Sequence, residues 1–274
     1  MPAVSPFAAK LSSIPTREAS VVVHGLTTRY WEYGSVTSPL QLVMIHGFRG
    51  DHHGLEPIVA ELGSDVHVII PDLPGFGSSQ ALPSPAGITD YASWLIAFLS
   101  VLPGGEQSVV LGHSFGSIVV GAAAASDLIN ERIILINPIA ANALKGPRGL
   151  MTRLAVLYYK AAAALPEKAG FALLKNKLIV RVMSNTMAKT HDSNLREWIH
   201  EQHDEYFSVF ESRDSVLEAF EASVSNDVGQ FAPRITQELL MLVADRDDIT
   251  ALPEQKELAA KIPGAQIEIV NGVG

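Results

Sequence analysis

The stretch Val109-Val110-Leu111-Gly112-His113-Ser114-Phe115-Gly116-Ser117-Ile118-Val119-Val120 decides how this chain is read. It begins with an apolar, largely β-branched run suited to a buried strand. It ends in Ile118-Val119-Val120-Gly121 and four alanines, Ala122 to Ala125, which suit a closely packed helix. Between the two stands Gly-x-Ser-x-Gly, the pattern of a nucleophile elbow, in which a serine sits on a sharp strand-to-helix bend. The glycines let neighbouring backbone approach where a Cβ would clash. Phe115 begins the helix, where unpaired N–H groups and the helix dipole favour developing negative charge. Ser114 is the candidate nucleophile, and the Phe115 amide is a candidate oxyanion donor.

Working outward, 274 residues with 47% hydrophobic and 18% charged content exclude a disordered chain. They allow one α/β domain with an insertion, or two small domains. A formal net charge of −9 argues against a nucleic-acid partner. The absence of cysteine excludes disulfides, thiolate chemistry and cysteine metal sites, and it fits a cytoplasmic location. Residues 1–18 are broken by Pro2, Pro6 and Pro15 and lack an apolar signal core, so they read as a flexible arm. Gln107 to Ser126 is uncharged and approaches the length of a membrane span, but Gly112, His113, Ser114 and Gly116 interrupt it. No membrane span is expected.

Val21-Val22-Val23 and Arg29 to Tyr33 flank His24-Gly25-Leu26-Thr27-Thr28 as a hairpin. Leu40 to Ile45, Val66 to Ile70, Val109 to Leu111, Ile133 to Ile136, Leu239 to Val243 and Ile267 to Val270 read as buried strands. Helices are expected over Glu56 to Leu62, after a Thr89 cap, through Ile118 to Ala125, and from about Pro253 to Ile262. This alternation predicts a mostly parallel sheet of about eight strands with helices on both faces. The rhythm breaks between about Ala140 and Phe231. There Leu150, Leu154, Leu157, Ala161 and Leu165 follow one helical stripe, and Leu195, Trp198, Ile199, Tyr206 and Phe210 outline a second, capped by Asp192 or Ser193. A helical lid (140–231) is therefore expected between two parts of one core (19–139 and 232–274).

Acyl transfer by a serine needs a base, an acid that orients the base, and donors for the oxyanion. His46-Gly47-Phe48-Arg49-Gly50 follows a strand end, which makes the Phe48 amide the candidate second donor. Leu242-Val243-Ala244-Asp245-Arg246-Asp247-Asp248 brings three aspartates to another strand end, on the sheet edge where ligands bind. Asp247 is the preferred acid and Asp245 the next. The alternative is that these acids cap the following helix or pair with Arg246.

These motifs, together with Pro71-Asp72-Leu73-Pro74-Gly75-Phe76-Gly77-Ser78-Ser79, resemble the α/β-hydrolase fold superfamily, in particular its lid-bearing serine esterase and carbon–carbon hydrolase-like members. The resemblance runs from about Val21 to the last residue. Ala244 departs from the glycine usual in the family. The resemblance implies a Ser-His-Asp triad with no cofactor, acting on a small, mostly apolar ester, thioester or related carbonyl substrate. It implies that Asp72 supports its loop and does no chemistry. It also implies a histidine base after the last strand, yet no histidine follows His203. The base is therefore expected just beyond Gly274, and the 274 residues alone are expected to be nearly inactive. Two alternatives stand beside this reading: a catalytically silent binding protein of the same fold, and a carbon–carbon hydrolase or haloperoxidase-like member.

Gly47, Arg49, His52 and His113 are candidate pocket residues, Arg49 through recognition of a substrate carboxylate. His52 and His53, beside Asp51, are also candidates to cap a helix. His200 and His203 share one helix face, but His-Glu-Gln-His is one residue short of a zinc motif, so a solvated face and no metal are expected. Met151, Tyr158, Tyr159, Met183, Met187, Trp198, Phe207 and Phe210 supply soft and aromatic surface for packing or for an apolar substrate.

Overall fold

The computed structural model describes residues 5–142, 149–247 and 249–273, with residues 149–152 described by backbone alone. Helix α1 (Ala8–Leu11) leads into the hairpin β1 (Thr16–Val23) and β2 (Leu26–Tyr33), followed by β3 (Gln41–Ile45), α2 (Glu56–Leu62), β4 (His67–Pro71) and α3 (Ile88–Val101). The elbow strand β5 (Val109–His113), helix α4 (Phe115–Ala124) and β6 (Arg132–Ile136) come next. Five helices follow: α5 (Gly149–Ala164), α6 (Glu167–Leu174), α7 (Lys177–Met187), α8 (Ser193–Tyr206) and α9 (Arg213–Ser225). The chain then returns through β7 (Glu238–Ala244), α10 (Leu252–Lys261) and β8 (Gln266–Val270).

The eight strands form one sheet in the order β1-β2-β4-β3-β5-β6-β7-β8, antiparallel at β1, β2 and β4 and parallel from β4 to β8. Successive side chains of a strand point to opposite faces, and the core divides accordingly. Val43, Ile45, Ile69, Val110 and Ile133 pack with Tyr91, Trp94, Phe98 and all of α4. Leu42, Met44, Val68, Ile70, Val109 and Leu111 pack on the opposite face with Leu55 and Val59. Covering both faces explains why the central strands are continuously apolar.

Three local expectations change. Residues 1–18 were expected to form an arm, but Ala8–Leu11 is helical and β1 begins at Thr16. Pairing of Thr16 with Tyr33, the Arg17–Glu32 ion pair at 2.6 Å and burial of Ile14 hold this segment. The cap of α3 is Gly87 and not Thr89, because the Asp90 carboxylate reaches back to accept the Gly87 N–H at 2.7 Å. On α5, Leu154 and Leu157 are exposed, with Leu165 just beyond the helix, whereas Tyr159 and Ala162 are buried. Periodicity identified the helix, but the face it buries is chosen by the aromatic side chain that meets Phe48 and Phe220.

The helical block is stitched to the loop after β4. Gly77 N–H donates to the Val209 carbonyl and Glu211 N–H to that of Gly75, each at 3.0 Å. Asp192 caps α8 by accepting from the Asn194 and Leu195 amides. None of the described helices is long and apolar enough to cross a membrane.

Candidate active site

Ser114 stands between β5 and α4 with φ 52° and ψ −117°, a conformation L residues rarely adopt. Its N–H donates to the Ile136 carbonyl at 3.2 Å, and its carbonyl accepts from Ser117 N–H at 2.9 Å, so both neighbouring elements hold the bend. Close approach is what requires the flanking glycines. A Cβ on Gly112 would lie 2.5 Å from the Gly116 oxygen, and one on Gly116 would lie 2.2 Å from that of Ile45.

The turn Gly47-Phe48-Arg49-Gly50 lies against the elbow. An added Cβ on Gly47 would sit 3.3 Å from Ser114 Cβ and 3.5 Å from His113 Nδ1. Gly50 N–H closes the turn on the Gly47 carbonyl at 3.2 Å. Among the described residues, neither the Phe48 nor the Phe115 amide has a hydrogen-bond acceptor. Two unspent donors therefore flank the serine region.

The surrounding loops are held by buried polar groups. His46 Nε2 accepts from Leu73 N–H at 2.8 Å, which places the proton on Nδ1 to donate to the Gly47 carbonyl. Burial lowers the pKa of His46 against the opposing charge of Asp72, so it stays neutral. Asp72, wholly buried, accepts from His52 N–H and His52 Nδ1 through one oxygen and from Ser78 N–H through the other.

At the end of β7, Asp247 accepts from Ile249 N–H (2.6 Å), Thr250 N–H (3.1 Å) and Thr250 Oγ1 (2.9 Å). It shapes the turn before α10 but does not cap it, since the α10 cap is Ala251. Asp245 instead accepts from Gly272 N–H at 2.7 Å, and Arg246 N–H donates to the Val273 carbonyl at 2.9 Å. The chain leaving β8 thus runs alongside the aspartate loop. Asp248 lies outside the described residues. His113 is half-buried. Burial lowers its pKa, and the charge of Asp247 partly opposes this. Among the described residues, no histidine hydrogen-bonds to Ser114.

Two candidate pocket residues are placed differently from expectation. The Arg49 guanidinium does not face open solvent or a substrate space. The residue is 1% exposed and donates to the Phe207 and Leu174 carbonyls and to the Tyr159 hydroxyl. His52 is buried against Trp31, with ring centroids 3.4 Å apart, and bound to Asp72. Its neighbour His53 lines a cavity of about 160 Å³ with Asp51, Trp198, Gln202, His203 and Tyr206. Sequence reasoning missed this cavity, because its walls come from segments about 150 residues apart.

A continuous stack, Trp31–His52–His53–Tyr206, joins β2 to α8. Burial alone would lower the pKa of His53, but its hydrogen bond to Asp51 and the charges of Asp51, Glu56 and Asp72 together outweigh this and raise it. Burial alone would raise that of Asp51, but the hydrogen bond and charge of His53, helped by His52 and His46, hold it below its ordinary value. Asp51, His52 and His53 bring one potential metal-ligand atom each within 4.8 Å of one another, and His53 Nδ1 and His52 Nδ1 are hydrogen-bonded to Asp51 and Asp72. His200 and His203 do not form a solvated face. Both rings converge on Ser184 Oγ, at 2.6 and 2.7 Å. Burial beside His200 pushes the pKa of His203 down to about 4.

A family model described as alpha/beta hydrolase family matches residues 42–274. Among curated proteins, (E)-2-((N-methylformamido)methylene)succinate hydrolase of Acinetobacter baylyi is 31% identical over 111 residues, 40% of this chain and 41% of that protein. Pimeloyl-[acyl-carrier protein] methyl ester esterase of Aliivibrio salmonicida is 32% identical over 126 residues, 45% of each. The chain thus spans less than half the length of the curated relatives it matches. Among solved structures, a thermophilic esterase of Thermogutta terrifontis superposes with TM-score 0.70 at 20% identity, covering 94% of this chain and 91% of that one. An enol-lactonase of Burkholderia xenovorans does so with TM-score 0.70 at 19% identity, covering 92% and 91%. At these identities the structural likeness speaks for the fold.

Proposed function

The chain belongs to the alpha/beta hydrolase family, and from that premise we propose that it is a cytoplasmic serine hydrolase of small, mostly apolar esters, thioesters or related carbonyl compounds. The observation that carries the reading is the strained Ser114, with φ 52°, between two amides that have no acceptor among the described residues. An ester-cleaving relative, matched over 45% of its length, supports the substrate class.

Ser114 Oγ attacks the carbonyl carbon while a histidine takes its proton. The oxyanion is held by the Phe48 and Phe115 amides, and the histidine returns the proton to the departing alkoxide or thiolate. Water, activated by the same histidine, then hydrolyses the acyl-serine. Asp247 orients the histidine. Gly272 and Val273, held beside Asp245 and Arg246, keep the segment after β8 next to the aspartate loop, which supports a base supplied from that side. Gly47 and His113 line the reacting space, and residues 140–231 act as a cap over it. No cofactor takes part.

The test is a panel of p-nitrophenyl esters of graded chain length applied to the natural protein, with Ser114→Ala as control. Turnover that is best on short acyl chains and lost in Ser114→Ala is expected. Turnover that survives Ser114→Ala refutes the assignment, and complete inertness favours a binding protein built on the same fold.

A further inference from the structure

The turn bearing Phe48 has an arginine where its backbone favours glycine. Arg49 has φ 62°, in the left-handed region, and its side chain is sealed from solvent. Among the described residues no carboxylate pairs with it. Nε donates to the Phe207 carbonyl at 2.9 Å, Nη2 to the Leu174 carbonyl at 2.6 Å and Nη1 to the Tyr159 hydroxyl at 3.1 Å. The Phe210 ring centroid lies 5.4 Å from Cζ.

These acceptors belong to three helices of the inserted block. Tyr159 is on α5, Leu174 is the last residue of α6, and Phe207 caps the C-terminus of α8. The last carbonyls of a helix have no partner within it and carry the negative end of its dipole. The Arg49 cation is therefore compensated by two converging helix ends. That compensation exists only while the block is seated, because a buried cation without its acceptors is strongly disfavoured. Tyr159 also packs against Phe48 itself, with ring centroids 5.9 Å apart.

We infer that Arg49 is a positioning residue that couples seating of the helical cap to the oxyanion turn. Seated helices draw the guanidinium inward, which holds residue 49 in its left-handed conformation and the Phe48 amide toward Ser114. When the helices lift, the anchor is lost and the turn relaxes. This rests on the proposed roles of Ser114 and Phe48.

The test compares Arg49→Gly, Arg49→Lys and Tyr159→Phe by ester turnover of the natural protein, with active serine titrated by a fluorophosphonate. Glycine adopts φ 62° freely but removes every tie to the cap. Its kcat per titrated serine is expected to fall on the order of 100-fold, as on loss of an oxyanion donor, with KM changed less than about threefold. Lysine, with a single compact head, is expected to recover only part of the loss. Tyr159→Phe removes one acceptor in a protein that should fold even if the Arg49 variants do not, and a fall of about threefold or more in kcat is expected from it. Equal kcat per titrated serine in Arg49→Gly and Tyr159→Phe, or a loss confined to KM or to melting temperature, overturns the inference. If the parent itself shows no Ser114-dependent turnover, the serine-hydrolase reading fails first, a result distinct from an active parent with indifferent variants.

Discussion

Gly116→Ala adds one methyl group at the most crowded point of the elbow. The new Cβ would sit 2.2 Å from the Ile45 oxygen and 2.7 Å from that of His46, while ordinary contact begins near 3.4 Å. Both obstacles are backbone carbonyls at the end of β3, so no side chain can rotate aside. Helix α4 is buried along its whole length and cannot tilt away without opening its packing elsewhere. The cost should therefore exceed the usual range for overpacking, at about 3 kcal/mol or more. That corresponds to a fall in melting temperature of roughly 6 °C or more. Gly121→Ala in the same helix is the control, since its Cβ would meet only the Val228 side chain, at 3.3 Å. The gain in helix propensity there, about 1 kcal/mol, offsets the tight contact. Urea unfolding of both variants checks the difference. Equal stabilities, or a Gly116→Ala protein within about 1 kcal/mol of the parent, would refute the close-approach reasoning.

Three further outcomes are expected. Asp72→Asn puts an amide where a carboxylate accepts from Ser78 N–H on one side and His52 on the other, leaving a buried donor without a partner. A loss of about 2–3 kcal/mol in urea unfolding is expected, and an unchanged midpoint contradicts the assignment. The pKa of His203 is about 4 in the folded chain, below its unfolded value, so its contribution to stability is present above about pH 6.5 and is lost as pH falls toward 4. Between pH 7 and 5 the parent should lose about 2 kcal/mol more than His203→Gln, and parallel pH profiles would contradict this. The pKa of His53 is raised, so its contribution has the opposite sign: it is full below the unfolded pKa and disappears as pH rises through the folded value. His53→Gln should therefore narrow its stability gap to the parent on going from pH 6 to pH 9, and a gap that widens would refute the Asp51–His53 pairing.

The sheet and the elbow were legible because their signals are local. Buried parallel strands are apolar on both faces, and the Gly-x-Ser-x-Gly bend needs small residues at fixed spacing, as the contacts of Gly112 and Gly116 explain. The hairpin start was missed because the outward face of β1 is polar and is held by the cross-strand Arg17–Glu32 pair. Helix periodicity located α5 but did not tell which neighbour it meets, so its Leu154 and Leu157 look like core and stand exposed. The place of Arg49 was illegible for a similar reason. Two of its three acceptors are backbone carbonyls, 125 and 158 residues away, and carbonyls leave no trace in a sequence. The same holds for the stack that brings Tyr206 onto His53.

The central claim, that Ser114 is an activated nucleophile, is tested most directly by fluorophosphonate labelling of the natural protein, followed by mass spectrometry of the peptide containing residues 112–116. A single adduct on Ser114, lost in Ser114→Ala and slowed by orders of magnitude in Asp247→Asn, is the result this account predicts. An unmodified Ser114, or an adduct on another serine, would contradict it.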